Sequence, residues 1–320
     1  MRSDLNRYLK KKIFPQLAPP PYGEIEAKKI SPDDHVFRFC SQKKRIDVIG
    51  KFFKRGSVSL ERAWRIAEIE YFNLNFLREQ IGMDSDNYQV VAPLGKSREL
   101  SALLVTENVH GENLDCYIAK TIYENQSELL FDRLSDLARF FVKLHRSSES
   151  DKQVSLDMPR SYLQHLLDRL SRGPLCTFQR EVIEQCASSW WERNDLLQDK
   201  EVIIHGDATP TNFIFKDRKV VGIDAEKTKW ADRCWDLGFI AAELKHHFIW
   251  RMGSGWAAEA FIGHFLWEYA VHYDDTSLFY RITRKLPLYM ALGFMRIARN
   301  RWLDELYKER LVNEAVECLK

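Results

Sequence analysis

"IIHGDATPTNFIF", residues Ile203 to Phe215, places an aspartate between apolar runs and an asparagine five residues after it. An ionised carboxylate in a dry site is costly unless it is paired or neutralised. Asp207 and Asn212 therefore belong either to a satisfied turn or to a site of chemistry. Around them, "EVIIHGD", "NFIFKD" and "KVVGIDAE" predict short strands joined by loops, with Asp224 following the last strand. These strands interrupt a region whose periodicity is otherwise helical.

Phosphoryl transfer needs a carboxylate to orient the attacking hydroxyl and take its proton, and oxygen ligands for the Mg²⁺ that bridges nucleotide phosphates. The kinase catalytic loop supplies them as an Asp, an Asn five positions on, and a second Asp after the next strands. Asp207, Asn212 and Asp224 reproduce that order and spacing. A lone D-x-x-x-x-N is ordinary loop hydrogen bonding. The His-Gly before it and the Ile-Asp after a β-branched run turn the reading towards chemistry.

The 320 residues suffice for one large domain or two moderate ones, and 45% apolar with 29% charged residues is ordinary for a globular chain. No apolar run is long enough to span a bilayer. "MRSDLNRYLKKKIF" lacks the apolar core and cleavage site of a secretory signal. Six scattered cysteines without a C-x-x-C pair point to reduced thiols in a cytoplasm. Net charge is +2, but residues 1–60 hold 14 Lys and Arg against 6 Asp and Glu, a surplus of +8. Most of those lysines are expected on a solvated face, although a basic front also suits a phosphate-bearing ligand.

Residues 1–23 are expected as an N-terminal extension, a short helix followed by an extended "APPPYG" connector. Residues 24–109 predict strands, a helix and strands again. "HVFRFCS" and "RIDVIGKFF" are strand-like. "SLERAWRIAEIEYFNLNFLREQIG" is a long helix with Ser59 as N-cap and Gly82 as stop. "YQVVAPLG" and "LSALLVTENV" read as further strands. Residues 110–320 are mainly helical. The fold class expected is α+β, with a small antiparallel-sheet lobe, a larger helical lobe, and a boundary near Glu107 to Gly111.

"HGDATPTN", "GIDAE" and "DRCWDLG" together resemble the aminoglycoside phosphotransferase and choline kinase family, which shares the protein-kinase fold. The likeness runs over roughly residues 30 to 245 by motif order. It implies ATP as donor, with GTP as the alternative, Mg²⁺, and a small-molecule hydroxyl as acceptor. It assigns Asp207 as catalytic base and Asn212 and Asp224 as metal ligands. It also calls for a strand lysine on the phosphates and a helix glutamate holding it. "VIGK" gives Lys51, preferred to Lys54 as closer to mid-strand. Glu70 follows Ala67 by three and precedes Leu74 by four, so it falls on the inward helix face, with Glu61 and Glu68 outward. Main-chain groups of Glu107 and Val109 would read the adenine, with Thr106 behind it. The phosphate-covering segment "ISPDDHVFRF" has no glycine. Backbone amides with Ser31 would serve, and Asp33 and Asp34 would repel a triphosphate unless turned outward.

His205 is expected to be buried and structural. Asp236 is expected to accept hydrogen bonds from catalytic-loop amides, with Asp232 the weaker claimant. His246 and His247 are expected as ordinary helix residues. Acceptor clues conflict: Glu268, Asp274 and Asp275 suit a cation, while Arg296, Arg299 and Arg301 suit an anion. Both sets are expected on solvated helix faces, and the aromatics Trp256, Phe265, Trp267 and Tyr269 in the core. The function expected is a small-molecule kinase acting on an aminoglycoside, amino-alcohol or sugar. A kinase of a protein or lipid-linked sugar and a nucleotide-binding pseudokinase stand as alternatives. No nucleic-acid-binding motif accompanies the basic front.

Overall fold

A computed structural model describes residues 2–30 and 35–320. Ser31, Asp33 and Asp34 lie outside the described residues. The protein is α+β, with an antiparallel sheet in its N-terminal part and helices dominating its C-terminal part. The chain divides into two compact units, Met1–Gly111 with Val221–Lys227, and Glu112–Val220 with Thr228–Lys320.

The first unit opens with α1 (Arg2–Tyr8), which continues through tighter and wider turns to Gln16. Its strands are β1 (Ile25–Lys29), β2 (Val36–Ser41) and β3 (Asp47–Phe52). Then come α2 (Leu60–Glu79), β4 (Tyr88–Val90), β5 (Pro93–Ser97) and β6 (Leu103–Glu107). The sheet order is β1-β2-β3-β6-β5, antiparallel throughout. Phe39, Val48, Leu103 and Val105 bury one face of it, and Leu9, Ile13, Phe14 and Tyr22 from the N-terminal segment close that core. Ser59 caps α2 by accepting from the Arg62 amide at 3.2 Å. Ala63, Ala67, Leu74 and Leu77 form the buried stripe of α2, and Glu70 lies within it. "YQVVAPLG" is two strands, β4 and β5, because the chain breaks at Val91–Ala92; there the Val91 amide donates to Gly222.

The second unit holds β7 (Glu112–Asn113), α3 (Leu114–Glu124), α4 (Ser127–Ser147), α5 (Asp157–Leu170) and α6 (Thr177–Trp191). The short strands follow: β8 (Val202–Ile204), β9 (Phe213–Lys216), β10 (Lys219–Gly222), which leads into Val221–Lys227, and β11 (Lys229–Ala231). Four helices finish the chain: α7 (Cys234–Met252), α8 (Ala258–His272), α9 (Ser277–Ala298) and α10 (Glu305–Leu319). β8 pairs with β11 and β9 with β7, both antiparallel. Helices α7 and α9 cross closely because glycines face the partner. A Cβ on Gly238 would come within 2.4 Å of the Tyr289 Cβ, and one on Gly293 within 2.6 Å of the Ala242 Cβ. That close approach sets the positions of Asp236, Glu243 and Arg296. Among the described residues no helix is long and apolar enough to cross a membrane.

Candidate active site

In the first unit the site is built on β3, α2 and the segment after β10. Lys51 is expected mid-strand; in the structure it is the penultimate residue of β3, opposite Val36 and Leu104. Its Nζ lies 2.8 Å from Glu70 Oε2 and 3.6 Å from Glu226, and is hydrogen-bonded to Asp224. It also sits 4.8 Å from the centre of the Phe53 ring. Lys54 is exposed and donates to the Gly56 carbonyl. Glu70 is only 3% exposed. Glu61 and Glu68 turn outward to Arg98 and Lys96. Asp224 adopts φ of +64°, a conformation that Asp tolerates better than most residues. The turn is tied to α2 by Asn73, whose Nδ2 donates to the Ala225 carbonyl at 2.8 Å.

Burial works against the Lys51 ammonium, but Glu70 and Asp224 outweigh it and hold the amine firmly protonated. Glu70 is raised above the usual carboxylate range, first by burial and then by Asp224, with Lys51 pulling the other way. One ammonium thus faces three carboxylates. The ligand oxygens of Glu70, Asp224 and Glu226 lie within 4.8 Å of one another. A surplus of hard oxygen donors beside a lysine fits Mg²⁺ carrying a polyphosphate. Glu226 and Asn73 were not anticipated as site residues. The Glu of "IDAE" was the available signal for the first, and nothing in the local pattern marks the second.

At the end of β6 the Glu107 amide donates to Ala92, and its side chain accepts from the Ala92 amide at 2.7 Å. The Thr106 hydroxyl donates to the Glu107 carbonyl at 3.1 Å. Asn108 donates to Asp47 at 2.8 Å, which fixes the following turn. Val109 is half-buried.

In the second unit β8 delivers His205-Gly206-Asp207, with Gly206 at φ of +79°. A left-handed residue suits glycine and turns the chain sharply. Asp236, fully buried near the start of α7, accepts from the His205 amide at 2.7 Å and the Gly206 amide at 2.9 Å. The Trp235 indole donates to the Gly206 carbonyl at 3.4 Å. Asp236 also meets His145 Nε2 at 3.4 Å, while His145 Nδ1 faces the Tyr269 hydroxyl at 3.0 Å. Burial lowers the His145 pKa, so a neutral ring donating to Asp236 and accepting from Tyr269 satisfies every partner. His145 was not anticipated.

Asn212 closes a short turn opened by Pro210. Its Nδ2 donates to the Asp207 main-chain carbonyl at 2.9 Å, and its amide donates to Thr209 at 3.0 Å. Because that carbonyl only accepts, the amide orientation is fixed and Oδ1 is the group left to act as a ligand. Asp207 is 8% exposed, and its carboxylate is hydrogen-bonded to Arg296. Arg296 also donates to Glu243 at 3.0 Å. Arg296 was expected on a solvated face, and the structure corrects this: its side chain is 15% exposed and pairs with both acids. Burial opposes the Arg296 charge but is outweighed by Asp207 and Glu243. Glu243 is pushed up to about 7 by burial, which Arg296 only partly offsets.

Asp232 accepts from the Cys234 amide at the start of α7 at 2.8 Å and pairs with Lys285 at 2.9 Å. His246 meets the Tyr307 hydroxyl at 2.7 Å, and His247 lies 3.4 Å from Asp115. Asp274 pairs with Arg146 and Asp275 with Arg281 towards solvent, whereas Glu268 meets His272 in a part-buried position. Phe265 and Tyr269 are in the core, whereas Trp256 and Trp267 are exposed rather than buried.

A model of the phosphotransferase enzyme family matches residues 74–276. No curated protein sequence matches the chain. Solved structures match along its whole length at low identity. The streptomycin–ATP ternary complex of APH(2'')-IIa is 19% identical, with TM-score 0.59, covering 99% of this chain and 96% of that one. The choline kinase LicA from Streptococcus pneumoniae is 15% identical, with TM-score 0.60, covering 98% and 99%. The GDP complex of aminoglycoside 2'-phosphotransferase-IIIa is 14% identical, with TM-score 0.57, covering 99% and 96%.

Proposed function

The chain belongs to the phosphotransferase enzyme family, and on that premise we propose that it transfers the γ-phosphate of ATP, or alternatively GTP, to a hydroxyl of a small molecule. The observation that carries this reading is the cluster in which Lys51 is clamped by Glu70 beside Asp224 and Glu226. Taking an ammonium largely out of water is costly unless carboxylates offset it, and here three of them do. Among excess carboxylates it suits a site that takes up a metal–polyphosphate complex.

In this reading Lys51, oriented by Glu70, binds the nucleotide phosphates. Main-chain groups at Glu107 and Val109 bind the base. Asp224 and Asn212 would hold Mg²⁺, which would supply charge neutralisation on the phosphates. Asp207 orients the acceptor hydroxyl and takes its proton as the acceptor oxygen bonds to the γ-phosphorus. The bond to the β–γ bridging oxygen breaks, and the nucleoside diphosphate leaves. Asp236 contributes indirectly, because its two amide bonds fix the turn that carries Asp207. Catalysis is positioning and charge stabilisation, with no covalent enzyme intermediate.

The broad acceptor class is an aminoglycoside, amino-alcohol or sugar. A second reading, a nucleotide-binding protein without turnover, is favoured by the Arg296 contact on Asp207. ATP and GTP consumption against a panel of amino-sugars, amino-alcohols, sugars and nucleosides separates the two. Product formation with any acceptor supports the kinase. Tight Mg-nucleotide binding with no product from any of them supports the second reading.

A further inference from the structure

Arg296 has an unusual setting for a helix arginine. Its guanidinium bonds Asp207 and Glu243 and lies 5.5 Å from the centre of the Phe239 ring. Phe239 stacks on Trp235 at 5.0 Å, and Tyr162 tilts against Trp235 at 5.1 Å. Two carboxylates over an aromatic face make a place that binds a cation. Here a cation of the chain itself fills it, held by the glycine crossing of α7 and α9.

We infer that Arg296 is a specificity-determining residue that closes the acceptor site to cationic alcohols and selects an uncharged polyol such as a neutral sugar. The inference rests on the reading of Asp207 as the group that meets the acceptor hydroxyl. A cationic acceptor that reached Asp207 would have to displace Arg296 and leave a buried guanidinium short of a partner, which costs affinity roughly a hundredfold or more.

The charges nearby attract neither sign strongly. Arg296 pairs with both Asp207 and Glu243, burial raises Glu243 to about 7, and Asp115 is matched by Arg251 at 2.6 Å. Hydrogen-bonding capacity remains, because among the described residues the bonds to Asp207 and Glu243 use two of the five guanidinium N–H groups. Such donors pair with hydroxyl oxygens at no cost in charge.

The test uses matched pairs of acceptors, each a neutral sugar and its amino-deoxy analogue such as glucose and glucosamine, with the whole protein and with Arg296→Met. The wild type is expected to phosphorylate the neutral member with kcat/KM at least about a hundredfold above the amine. By calorimetry, Arg296→Met is expected to bind the amine at least about tenfold more tightly than the wild type does. A wild type that uses the amine as well as the sugar overturns the inference and leaves the kinase reading intact. If no compound is phosphorylated, the kinase reading fails and calorimetry still decides. Amine binding gained only by Arg296→Met supports the inference; equal binding, or none to either protein, overturns it. Should Arg296→Met not fold, Arg296→Lys carries the test. It keeps the charge but loses the fork, so it is expected to raise KM for the sugar and still reject the amine. Acceptance of the amine by Arg296→Lys is the contrary result.

Discussion

Lys51 Nζ and Glu70 Oε2 lie 2.8 Å apart across 19 residues of chain, one near the end of a strand and the other on the buried stripe of the next helix. Neither charge is tolerable there alone. Lys51→Met is expected to weaken Mg-ATP binding roughly thirtyfold or more, about 2 kcal/mol, since it removes one member of a buried hydrogen-bonded pair. Lys54→Met, at an exposed lysine whose ammonium donates to the Gly56 carbonyl, is expected to change it less than about twofold. Calorimetric titration of both variants checks this, and equal effects would remove Lys51 from the nucleotide site.

Asp236 holds two consecutive amides of the turn that carries Asp207. An asparagine at that position accepts with one oxygen and presents an NH₂ group to the other donors. Asp236→Asn is expected to cost ~2 kcal/mol in urea unfolding, the scale of a buried donor left unsatisfied. It should also lower kcat more than it raises KM for ATP. A variant as stable as the wild type would show that the amides find other acceptors.

Glu243 gives a pH signature. Burial raises it from an ordinary value of 4.5 to about 7. Between those values the folded protein keeps a proton that the unfolded chain has released, so stability falls as pH rises. The contribution is complete below the unfolded value and is lost as pH passes through about 7. Glu243→Gln has no such titration. Its Tm relative to wild type is therefore expected to climb from about pH 5 to about pH 8. A constant difference would mean that Glu243 titrates alike in both states.

The strands around Asp207 and the helix bearing Glu70 were legible because both rest on local pattern: β-branched runs between turns, and apolar spacing along α2. β1 was missed because "IEAKK" buries only Ile25 and otherwise shows an exposed, charged edge. Arg296 was misplaced for another reason. Its burial depends on the glycine crossing of α7 and α9, a relation between residues far apart that no local pattern encodes. His145 and Asn73 act through partners 91 and 152 residues away, so their roles are likewise tertiary. The preference for Lys51 over Lys54 as closer to mid-strand agrees with β3, which contains Lys51 one residue from its end and stops before Lys54.

Asp224 belongs with Lys51, Glu70 and Glu226. Asp224→Ala is expected to abolish the Mg²⁺-dependent part of ATP affinity, because the metal loses a carboxylate while the phosphate charges remain. Titrations with and without Mg²⁺ measure that part directly. An unchanged Mg²⁺ increment would exclude Asp224 as a ligand.

In the proposed reaction Asp207 takes a proton from an acceptor hydroxyl during phosphoryl transfer. The most direct measurement is product formation by wild type and by Asp207→Asn, followed by mass spectrometry with the acceptor that the panel identifies, alongside Mg-ATP affinity by calorimetry. A base at Asp207 leads to a phosphorylated product from the wild type, a rate lower by roughly a thousandfold or more in the variant, and nearly unchanged Mg-ATP affinity. A variant that makes product at close to the wild-type rate would contradict it.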